Sequence, residues 1–270
     1  MILQAHAKVN LTLDVLGKRP DGYHALRTVM AAISLADEVS VHPAPDVRVS
    51  ADAALPADNT AYRAATLYQK RYRCGGAHMH IKKRIPSQAG LGGASADAAA
   101  VLKAMQSFYG AATERELYAL AREVGADVPF CLHGGVALCE GVGEILTPLP
   151  AIRCPIVLLK GEGGVSTGAL FASLSLPVAH AGSELAVTAI QQDDLRTLAS
   201  ALGNALQASA EKMCGEIAEN LQRLKELGAL GVCMSGSGAC VYGLFESRAA
   251  AARAVEQLAD APFACVSELC

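Results

Sequence analysis

Residues 78–109 read HMHIKKRIPSQAGLGGASADAAAVLKAMQSFY and predict a strand, a glycine-rich loop and a helix in direct succession. The alternating stretch from His78 stops at Pro86, which has no N–H group for a strand ladder. Past the glycines, apolar side chains recur at helical spacing between Ser95 and Tyr109, at Ala98, Val101, Leu102, Met105 and Phe108. A glycine-rich loop directly before a helix is typical of an anion site.

The loop Pro86–Ala96 is the first candidate site. Gly90, Gly92 and Gly93 allow a positive φ and a close approach of the backbone to a ligand. The helix that follows presents N–H groups and the positive end of its dipole. The spacing matches neither a Walker loop nor a dinucleotide fingerprint. Because glycines alone more often form an ordinary turn, here capped by Ser95, the loop indicates phosphate binding only together with other features.

The composition indicates a globular protein with a small-molecule partner. The chain has 270 residues, 52% of them hydrophobic, which suits one large domain or two of ordinary size. A formal charge of −3 provides no basic field for a polyanion, which disfavours nucleic acid as a partner. The nine cysteines are scattered without a C-x-x-C pair, and this favours reduced thiols over disulfides or a zinc site.

The N-terminal stretch MILQAHAKVN lacks the features of a secretory signal, and no run of about 18 apolar residues predicts a membrane span. We therefore expect a cytoplasmic protein that does not contact a membrane. We expect it to be a monomer or a weak homodimer.

The stretch AKVNLTLDV, residues 7–15, alternates strictly between apolar and polar side chains. As a strand it would place Lys8, Asn10, Thr12 and Asp14 on one face and only apolar residues on the other. Lys8 and Asn10 would then stand about 7 Å apart. The polar row is either a solvated surface or the floor of a site, and alternation alone does not choose between them.

Two further helices are predicted in the N-terminal half. Residues 58–73 carry apolar residues at helical spacing, with Asp58 or Asn59 available as the N-cap. Residues 113–124 form a helix that opens with a Thr113-x-x-Glu116 capping box and ends at Gly125.

Asp127 follows that helix directly, in GADVPF. Pro129 biases Val128 towards an extended conformation, so we expect Asp127 to be held in a short, constrained loop. A carboxylate in that position can accept a proton from a hydroxyl. An isolated loop aspartate more commonly bonds its own backbone, and that alternative stays open.

The C-terminal half begins near residue 152, where prolines mark a domain boundary. The stretch PIVLLK predicts a buried strand, and three helical stretches follow between about residues 167 and 228. GVCMSGSGACVYGLF predicts two strands that meet at a Gly-Ser turn, before a last helix and strand. This order is typical of a ferredoxin-like layer, and the fold class is α+β in two domains, 1–152 and 153–270.

Taken together, the motifs resemble the 4-diphosphocytidyl-2-C-methyl-D-erythritol kinases, which belong to the galactokinase, homoserine kinase, mevalonate kinase and phosphomevalonate kinase superfamily. The resemblance runs in order and spacing over nearly the whole chain. It rests on AKVNLTLDVLGKRPDGYHALRTVM, IPSQAGLGGASADAAAVL, GADVPF with EGVGEILTPL, VSTGALF and MSGSGACVYG. The first and third of these segments point to this family, while the glycine loop and SGSGA are superfamily signals.

The resemblance implies a ribosomal-S5-like N-terminal domain that binds ATP and carries the catalytic residues. It also implies a ferredoxin-like C-terminal domain that completes the substrate site. The implied reaction moves the γ-phosphate of ATP to a hydroxyl of the methylerythritol unit, in the non-mevalonate route to isoprenoid precursors. Mg²⁺ is expected to arrive with ATP, because the sequence has no carboxylate cluster that would fix a metal.

The resemblance also implies roles for individual residues. Asp127 would be the catalytic base and Lys8 its charged partner. The substrate would contact Asn10, Thr167, Tyr23, His24 and Phe171; the first two would hold the polyol and phosphate end, Tyr23 and Phe171 would stack the cytosine, and His24 would read its edge. The nucleotide would lie near Asn59 and against Pro86, Ser87, Gln88, Ala89, Gly90, Leu91, Gly92, Gly93, Ala94, Ser95 and Ala96. Within the polar row, Thr12 and Asp14 would remain an ordinary solvated surface.

Some positions depart from the family pattern. His6 stands where proline is common, and Ala94 where a third glycine is common, so Ala94 requires a negative φ. Ala205 and Gln207 lack carboxylates that the family often has. The alternatives are a related kinase that acts on another small alcohol, and an inactive nucleotide-binding regulator. The retained Lys8 and Asp127 disfavour the regulator.

Overall fold

The computed structural model describes residues 1–56, 59–174 and 182–270. In chain order the elements are β1 (Ile2–Lys18), β2 (His24–Ala44), β3 (Arg48–Ala51), α1 (Thr60–Tyr72), β4 (Gly76–Lys82), α2 (Gly93–Tyr109), α3 (Glu114–Val124), α4 (Val128–His133), β5 (Val136–Gly141), β6 (Ile145–Leu149), β7 (Pro155–Lys160), α5 (Thr167–Ala172), α6 (Ser183–Gln191), α7 (Leu195–Ala201), β8 (Gly203–Asn204), α8 (Gln207–Met213), α9 (Glu216–Glu226), β9 (Gly231–Met234), β10 (Val241–Leu244), α10 (Arg248–Glu256) and β11 (Phe263–Glu268).

The chain divides into two compact units, each built from separate stretches of sequence. Unit 1 contains Met1–Ala7, Leu35–Ile85 and Gly92–Gly134, and unit 2 contains Lys8–Ser34, Pro86–Leu91 and Gly135–Cys270. Strands β1 and β2 each contribute to both units. The boundary predicted near residue 152 stays a prediction about how the sequence is divided into domains.

Unit 1 packs helices α1 to α4 against a sheet. The second half of β2 pairs antiparallel with β4, and β3 pairs parallel with β4. Small alanines from α1 and α2 allow these helices to pack closely, and the predicted stripe on α2 is buried from Ala98 to Met105 while Phe108 is half-buried. The core of this unit is therefore built largely from Ala, Val and Leu.

The predicted helix ends in unit 1 agree closely with the structure. The Asn59 side chain accepts a hydrogen bond from Tyr62 N and caps α1, whereas the alternative cap, Asp58, lies outside the described residues. The capping box is present, because the Thr113 side chain accepts from Glu116 N and the Glu116 carboxylate accepts from Thr113 N. Helix α2 begins at Gly93, two residues earlier than predicted.

The conformation predicted for Val128 is wrong. Val128 is the first residue of the short helix α4, and Asp127 is its N-cap with φ −83° and ψ −10°. Pro129 lies in the first turn, where its missing N–H group is no loss because first-turn N–H groups have no partner within the helix. Two backbone hydrogen bonds therefore hold Asp127 between helices α3 and α4. Val128 N donates to Gly125 O, and Cys131 N donates to Asp127 O.

Unit 2 contains two sheet regions. The first half of β2 pairs antiparallel with β5, β5 pairs with β6, and β1 pairs with the short β8. The second region is a four-stranded sheet in the order β11, β7, β10 and β9, with antiparallel neighbours. Helices α9 and α10 cover this sheet with buried Ile, Leu and Ala side chains, which confirms the predicted helix, strand, strand, helix, strand order.

The helical region that precedes β9 contains more helices than predicted. Within the described residues between 167 and 228, the structure has five helices, α5 to α9, instead of three stretches. Asp194 starts a new helix because its carboxylate accepts from Arg196 N and Thr197 N. Gly203 and Asn204 pair with β1 as β8 and so end α7.

Candidate active site

The first part of the glycine loop, Pro86–Leu91, lies directly against the turn that joins β9 and β10. Gly90 has φ 70°, and a Cβ on it would collide with the carbonyl oxygen of Ser235. The Ser235 hydroxyl donates to Gly90 O over 3.0 Å, and Ala239 N donates to Gln88 O over 3.2 Å. These contacts fix this part of the loop against the turn. Position 90 requires glycine both because its φ is positive and because a Cβ would collide with Ser235 O.

The second part of the loop, in unit 1, forms the start of α2. Gly92 has φ 70° and is the N-cap, with no side-chain cap bond, so the alternative of a Ser95 cap is wrong. Ala94 lies in the first helical turn and is not among the residues with positive φ, as the sequence required. The 17-residue helix α2 directs its first N–H groups out of its N-terminus, which is a favourable position for an anion.

The polar row on β1 is buried. Lys8 is 3% exposed and Asn10 is 2% exposed. Lys8 Nζ donates to Asn10 Oδ1 over 2.6 Å, and Asn10 Nδ2 donates to Thr28 Oγ1 over 2.8 Å. A Cβ on Gly236 would lie 3.1 Å from Lys8 Nζ and 2.9 Å from Gly90 O. The buried Lys8 ammonium and the Gly90 carbonyl oxygen therefore lie beside the same residue, Gly236, within unit 2.

The prediction that Thr12 and Asp14 face solvent is wrong, since both are buried. Ser183, at the start of α6, bonds Thr12 Oγ1 through its hydroxyl oxygen over 2.7 Å and donates to Asp14 Oδ2 over 2.5 Å. The partner residue is about 170 positions away in sequence, so alternation along β1 could not reveal it. The polar side chains of β1 form a continuous buried series, with the predicted site residues Lys8 and Asn10 at one end and Thr12 and Asp14, bonded to Ser183, at the other.

The residues proposed for the cytidine end are only partly brought together. The rings of His24 and Phe171 stack with centroids 5.1 Å apart and an angle of 29° between their planes. Tyr23 is 65% exposed. Thr167 Oγ1 lies 2.7 Å from Ser237 Oγ, so Thr167 is tied to the same turn that contacts the glycine loop.

Asn59 lies beside a groove in unit 1. The groove has a volume of about 480 Å³ and is lined by Val49, Leu55, Tyr62 and Asn59 among others. Thr60 Oγ1 donates to Ala94 O over 2.6 Å, which ties the start of α1 to the first turn of α2. The groove and the N-terminus of α2, the predicted anion site, are therefore neighbours.

Several residues that support the site were not singled out from the sequence. Asn204 Nδ2 donates to both Met234 O and Gly236 O, and Gln207 Oε1 accepts from Met234 N. An amide oxygen at position 207 can accept this bond as a carboxylate would, which explains why the departure to Gln207 is tolerated. The asparagine in LGNALQ, Asn204, was a signal of this support in the sequence. Its hydrogen-bond partners, however, lie about 30 residues away in the chain.

A charged cluster lies under the start of α2. Lys83 Nζ donates to Asp97 Oδ2 over 2.8 Å and also donates to Asp37, whose side chain is fully buried. Burial raises the pKa of Asp97 to about 7, although the Lys83 ammonium opposes this shift. The other oxygen, Asp97 Oδ1, is buried and has no hydrogen-bond partner among the described residues.

Comparison with known proteins places this chain in a family. Residues 59–135 match the model of the GHMP kinases N terminal domain, and residues 186–264 match that of the GHMP kinases C terminal. The chain belongs to the GHMP kinase family. As a GHMP kinase it is 43% identical to the 4-diphosphocytidyl-2-C-methyl-D-erythritol kinase of Acetivibrio thermocellus, over 97% of this chain and 96% of the relative. The kinase of the same name from Caldicellulosiruptor saccharolyticus is 40% identical, over 96% and 92%.

Solved structures agree with the family. A 4-(cytidine 5'-diphospho)-2C-methyl-D-erythritol kinase superposes with a TM-score of 0.87 at 38% identity, over 100% of this GHMP kinase and 99% of the other chain. The Cytophaga hutchinsonii homoserine kinase, at 21% identity and a TM-score of 0.74, over 98% and 95%, shares the fold. These matches confirm the resemblance seen in the motifs and the α+β, two-domain fold class.

Proposed function

We propose that this protein transfers the γ-phosphate of ATP to a hydroxyl of 4-diphosphocytidyl-2-C-methyl-D-erythritol, with the 2-hydroxyl as the expected acceptor. This step belongs to the non-mevalonate route to isoprenoid precursors. The named relatives, at 40–43% identity over nearly the full length, support this substrate. The structural observation that carries the proposal is that the buried Lys8 ammonium and the Gly90 carbonyl oxygen both lie close to Gly236, within 3.1 Å of where a Cβ on it would stand.

Phosphoryl transfer asks a protein mainly for positioning and charge stabilisation. In the proposed mechanism the Asp127 carboxylate accepts the proton of the attacking hydroxyl, and the Lys8 ammonium stabilises negative charge that develops on the transferred group. Burial favours this role for Lys8, because an ammonium that is 3% exposed acts in a region from which bulk water is excluded. Asp127 is suited to its role by a rigid position between α3 and α4.

The nucleotide is proposed to bind at the start of α2 and along Pro86–Ala96. The N–H groups of the first turn of α2 would hold phosphate oxygens. The groove beside Asn59 would then accept the base, because Thr60 joins the groove to that turn. This assigns ATP binding to the N-terminal region, as expected for residues 1–152.

The acceptor is proposed to bind with its polyol and phosphate end near Asn10 and Thr167. Tyr23 and Phe171 would stack the cytosine, with His24 at its edge. The His24 and Phe171 rings lie together, with centroids 5.1 Å apart, which supports placing both residues at the cytosine. Residues 153–270 would in this way complete the substrate site.

Mg²⁺ is proposed to arrive bound to the ATP phosphates, where it would neutralise their charge. Within residues 1–56, 59–174 and 182–270, no group of three or more His, Cys, Asp and Glu side chains could hold a metal ion. A metal carried mainly by phosphate oxygens and water suits this donor set, because Mg²⁺ commonly keeps several waters.

The cellular location and the oligomeric state of the protein are also proposed. No helix among the described residues is long and apolar enough to cross a membrane. We propose that the protein acts in the cytoplasm and that it is a monomer or a weak homodimer. Gel filtration of the full chain with and without ATP tests the second point.

A coupled assay of ATP consumption by the full chain tests the function. Consumption should require the cytidyl substrate, CMP should compete with that substrate, and neither mevalonate nor homoserine should be phosphorylated. Phosphorylation of either alcohol would identify a related kinase with another acceptor. A rate of ATP consumption that the cytidyl substrate does not increase would favour a regulator.

A further inference from the structure

We propose that Thr28 is a positioning residue for the Lys8–Asn10 pair. Its hydroxyl would fix the direction of the Asn10 amide and, through it, the place of the Lys8 ammonium. This inference rests on the proposed function and adds to it a residue that does not touch the reacting groups. All the atoms involved belong to unit 2.

The direction of each hydrogen bond follows from the chemistry of the groups. The Lys8 ammonium can only donate, so the atom of Asn10 that faces it at 2.6 Å must be the amide oxygen. The Asn10 NH₂ group must then face Thr28 Oγ1, which accepts over 2.8 Å. The single proton of the Thr28 hydroxyl is donated to Thr12 O over 2.5 Å. The series therefore has only one arrangement in which all of these bonds are made.

The Thr28 hydroxyl is well placed to enforce this arrangement. Thr28 is fully buried on β2, so bulk water does not compete for the Asn10 amide. The β1 strand opposite it is fixed independently, because Thr12 Oγ1 accepts from Val29 N and is bonded to Ser183 Oγ, which donates to Asp14. Thr12 Oγ1 must supply the proton in its bond to Ser183, since the Ser183 proton is used for the carboxylate.

Loss of the hydroxyl would act on the side chain of Asn10 more than on its backbone. Tyr242 Oη donates to Asn10 O over 2.9 Å, and Asn10 N donates to Ser235 Oγ over 3.4 Å. These bonds would remain and keep the strand in place. The amide, however, would have a buried NH₂ group without an acceptor, and rotation of the amide to relieve this would turn NH₂ towards the Lys8 ammonium. The ammonium would then lose its bond to the Asn10 oxygen, which helps to fix its position beside Gly236.

The prediction is a selective loss of turnover. Thr28→Val keeps the shape of the side chain but lacks the hydroxyl, and we expect kcat to fall by a factor on the order of 10 or more while KM for ATP changes less than about twofold. Thr28→Ser keeps the hydroxyl and should retain most of the activity. Thr28→Ala provides the same comparison with Thr28→Ser if the valine variant does not fold.

The matched control is Val29→Ala, on the adjacent residue and the opposite face of β2. Val29 is fully buried, so its truncation should lower the melting temperature at least as much as Thr28→Val while leaving kcat near that of the wild type. The inference is overturned if the variants without the hydroxyl turn over like the wild type, if Thr28→Ser loses as much activity as they do, or if Val29→Ala loses as much kcat. An inactive wild type would instead overturn the proposed function.

Discussion

Lys83 Nζ donates to Asp97 Oδ2 over 2.8 Å beneath the first turns of α2, where the other oxygen of the same carboxylate is buried without a partner among the described residues. The cluster that also includes Asp37 holds two carboxylates and one ammonium, and the excess negative charge is disfavoured by burial. The pKa of Asp97 is raised to about 7 for this reason.

The shift of Asp97 predicts a pH dependence of stability. Because the pKa in the folded state is raised above 3.8, the contribution of this group is fully present below about pH 4 and is lost as pH rises through about 7. Asp97→Asn should therefore gain stability relative to the wild type between pH 5 and pH 8, by a few kcal/mol at most, since one pKa unit is worth about 1.4 kcal/mol. Urea unfolding at both pH values measures the difference.

The control for this experiment is Asp46→Asn, also in unit 1. The Asp46 side chain is 48% exposed, and the neighbouring His78 and Arg48 lower its pKa. Its replacement should change stability little, and by the same amount at pH 5 and pH 8, because a carboxyl with a lowered pKa is ionised throughout that range. A stability difference for Asp97→Asn that is the same at pH 5 and pH 8 would contradict the argument.

Replacement of Asp127 should separate binding from turnover. Asp127→Asn keeps the size of the side chain but removes a base, so kcat should fall by a factor on the order of 10² or more while ATP binding is nearly unchanged. Isothermal titration with ATP and the coupled assay provide the two readouts. Asp194→Asn is a suitable control because Asp194 is also an N-cap aspartate, at the start of α7. It should retain turnover, and an active Asp127→Asn enzyme would remove the base from the mechanism.

Gly90→Ala should disrupt the glycine loop. The added methyl group would collide with the Ser235 carbonyl oxygen at a residue whose φ is 70°, so the loop or the turn must move. We expect turnover to fall at least tenfold and KM for ATP to rise, because the proposed backbone partners of the phosphates would lose their fixed positions. Gly110→Ala tests strain alone, since Gly110 has φ 57° with no atom within 4 Å of the added carbon. Equal losses in both variants would show that strain, and not contact with Ser235, is responsible.

Phe171→Leu should weaken recognition of the cytidine. Loss of a stacking face for a base costs about 1–3 kcal/mol, so KM for the cytidyl substrate should rise about tenfold while KM for ATP stays the same. Phe108→Leu serves as the control, because Phe108 is also half-buried beside another aromatic ring but lies in unit 1. An unchanged KM for the cytidyl substrate would exclude Phe171 from the base site.

Local signals in the sequence predict local structure well. Asn59 and Thr113 mark helix starts because a cap and its partner are only three residues apart. The extended conformation predicted for Val128 is wrong because proline has two opposite effects. It restricts the residue before it in most contexts, but it is also favoured in the first turn of a helix. The two effects have opposite consequences, and the short helix α4 could not be recognised from six residues.

The burial of the polar row depended on distant residues. The resemblance predicts Lys8 and Asn10 as site residues, whereas the residues that lie against them, Gly236 and Ser235, are more than 220 positions away. The same holds for Asp14, whose partner is Ser183. Alternation specifies which side chains share a face of a strand but carries no information about what covers that face.

Residues 7–15 are buried on both faces without interruption. Their amide hydrogens should therefore be among the slowest in the chain to exchange with deuterated solvent, because exposing them requires most of the surrounding structure to open. In this protein the floor of the candidate site is also a part of its most protected core. Heat or denaturant should then abolish activity and unfold the protein at the same midpoint.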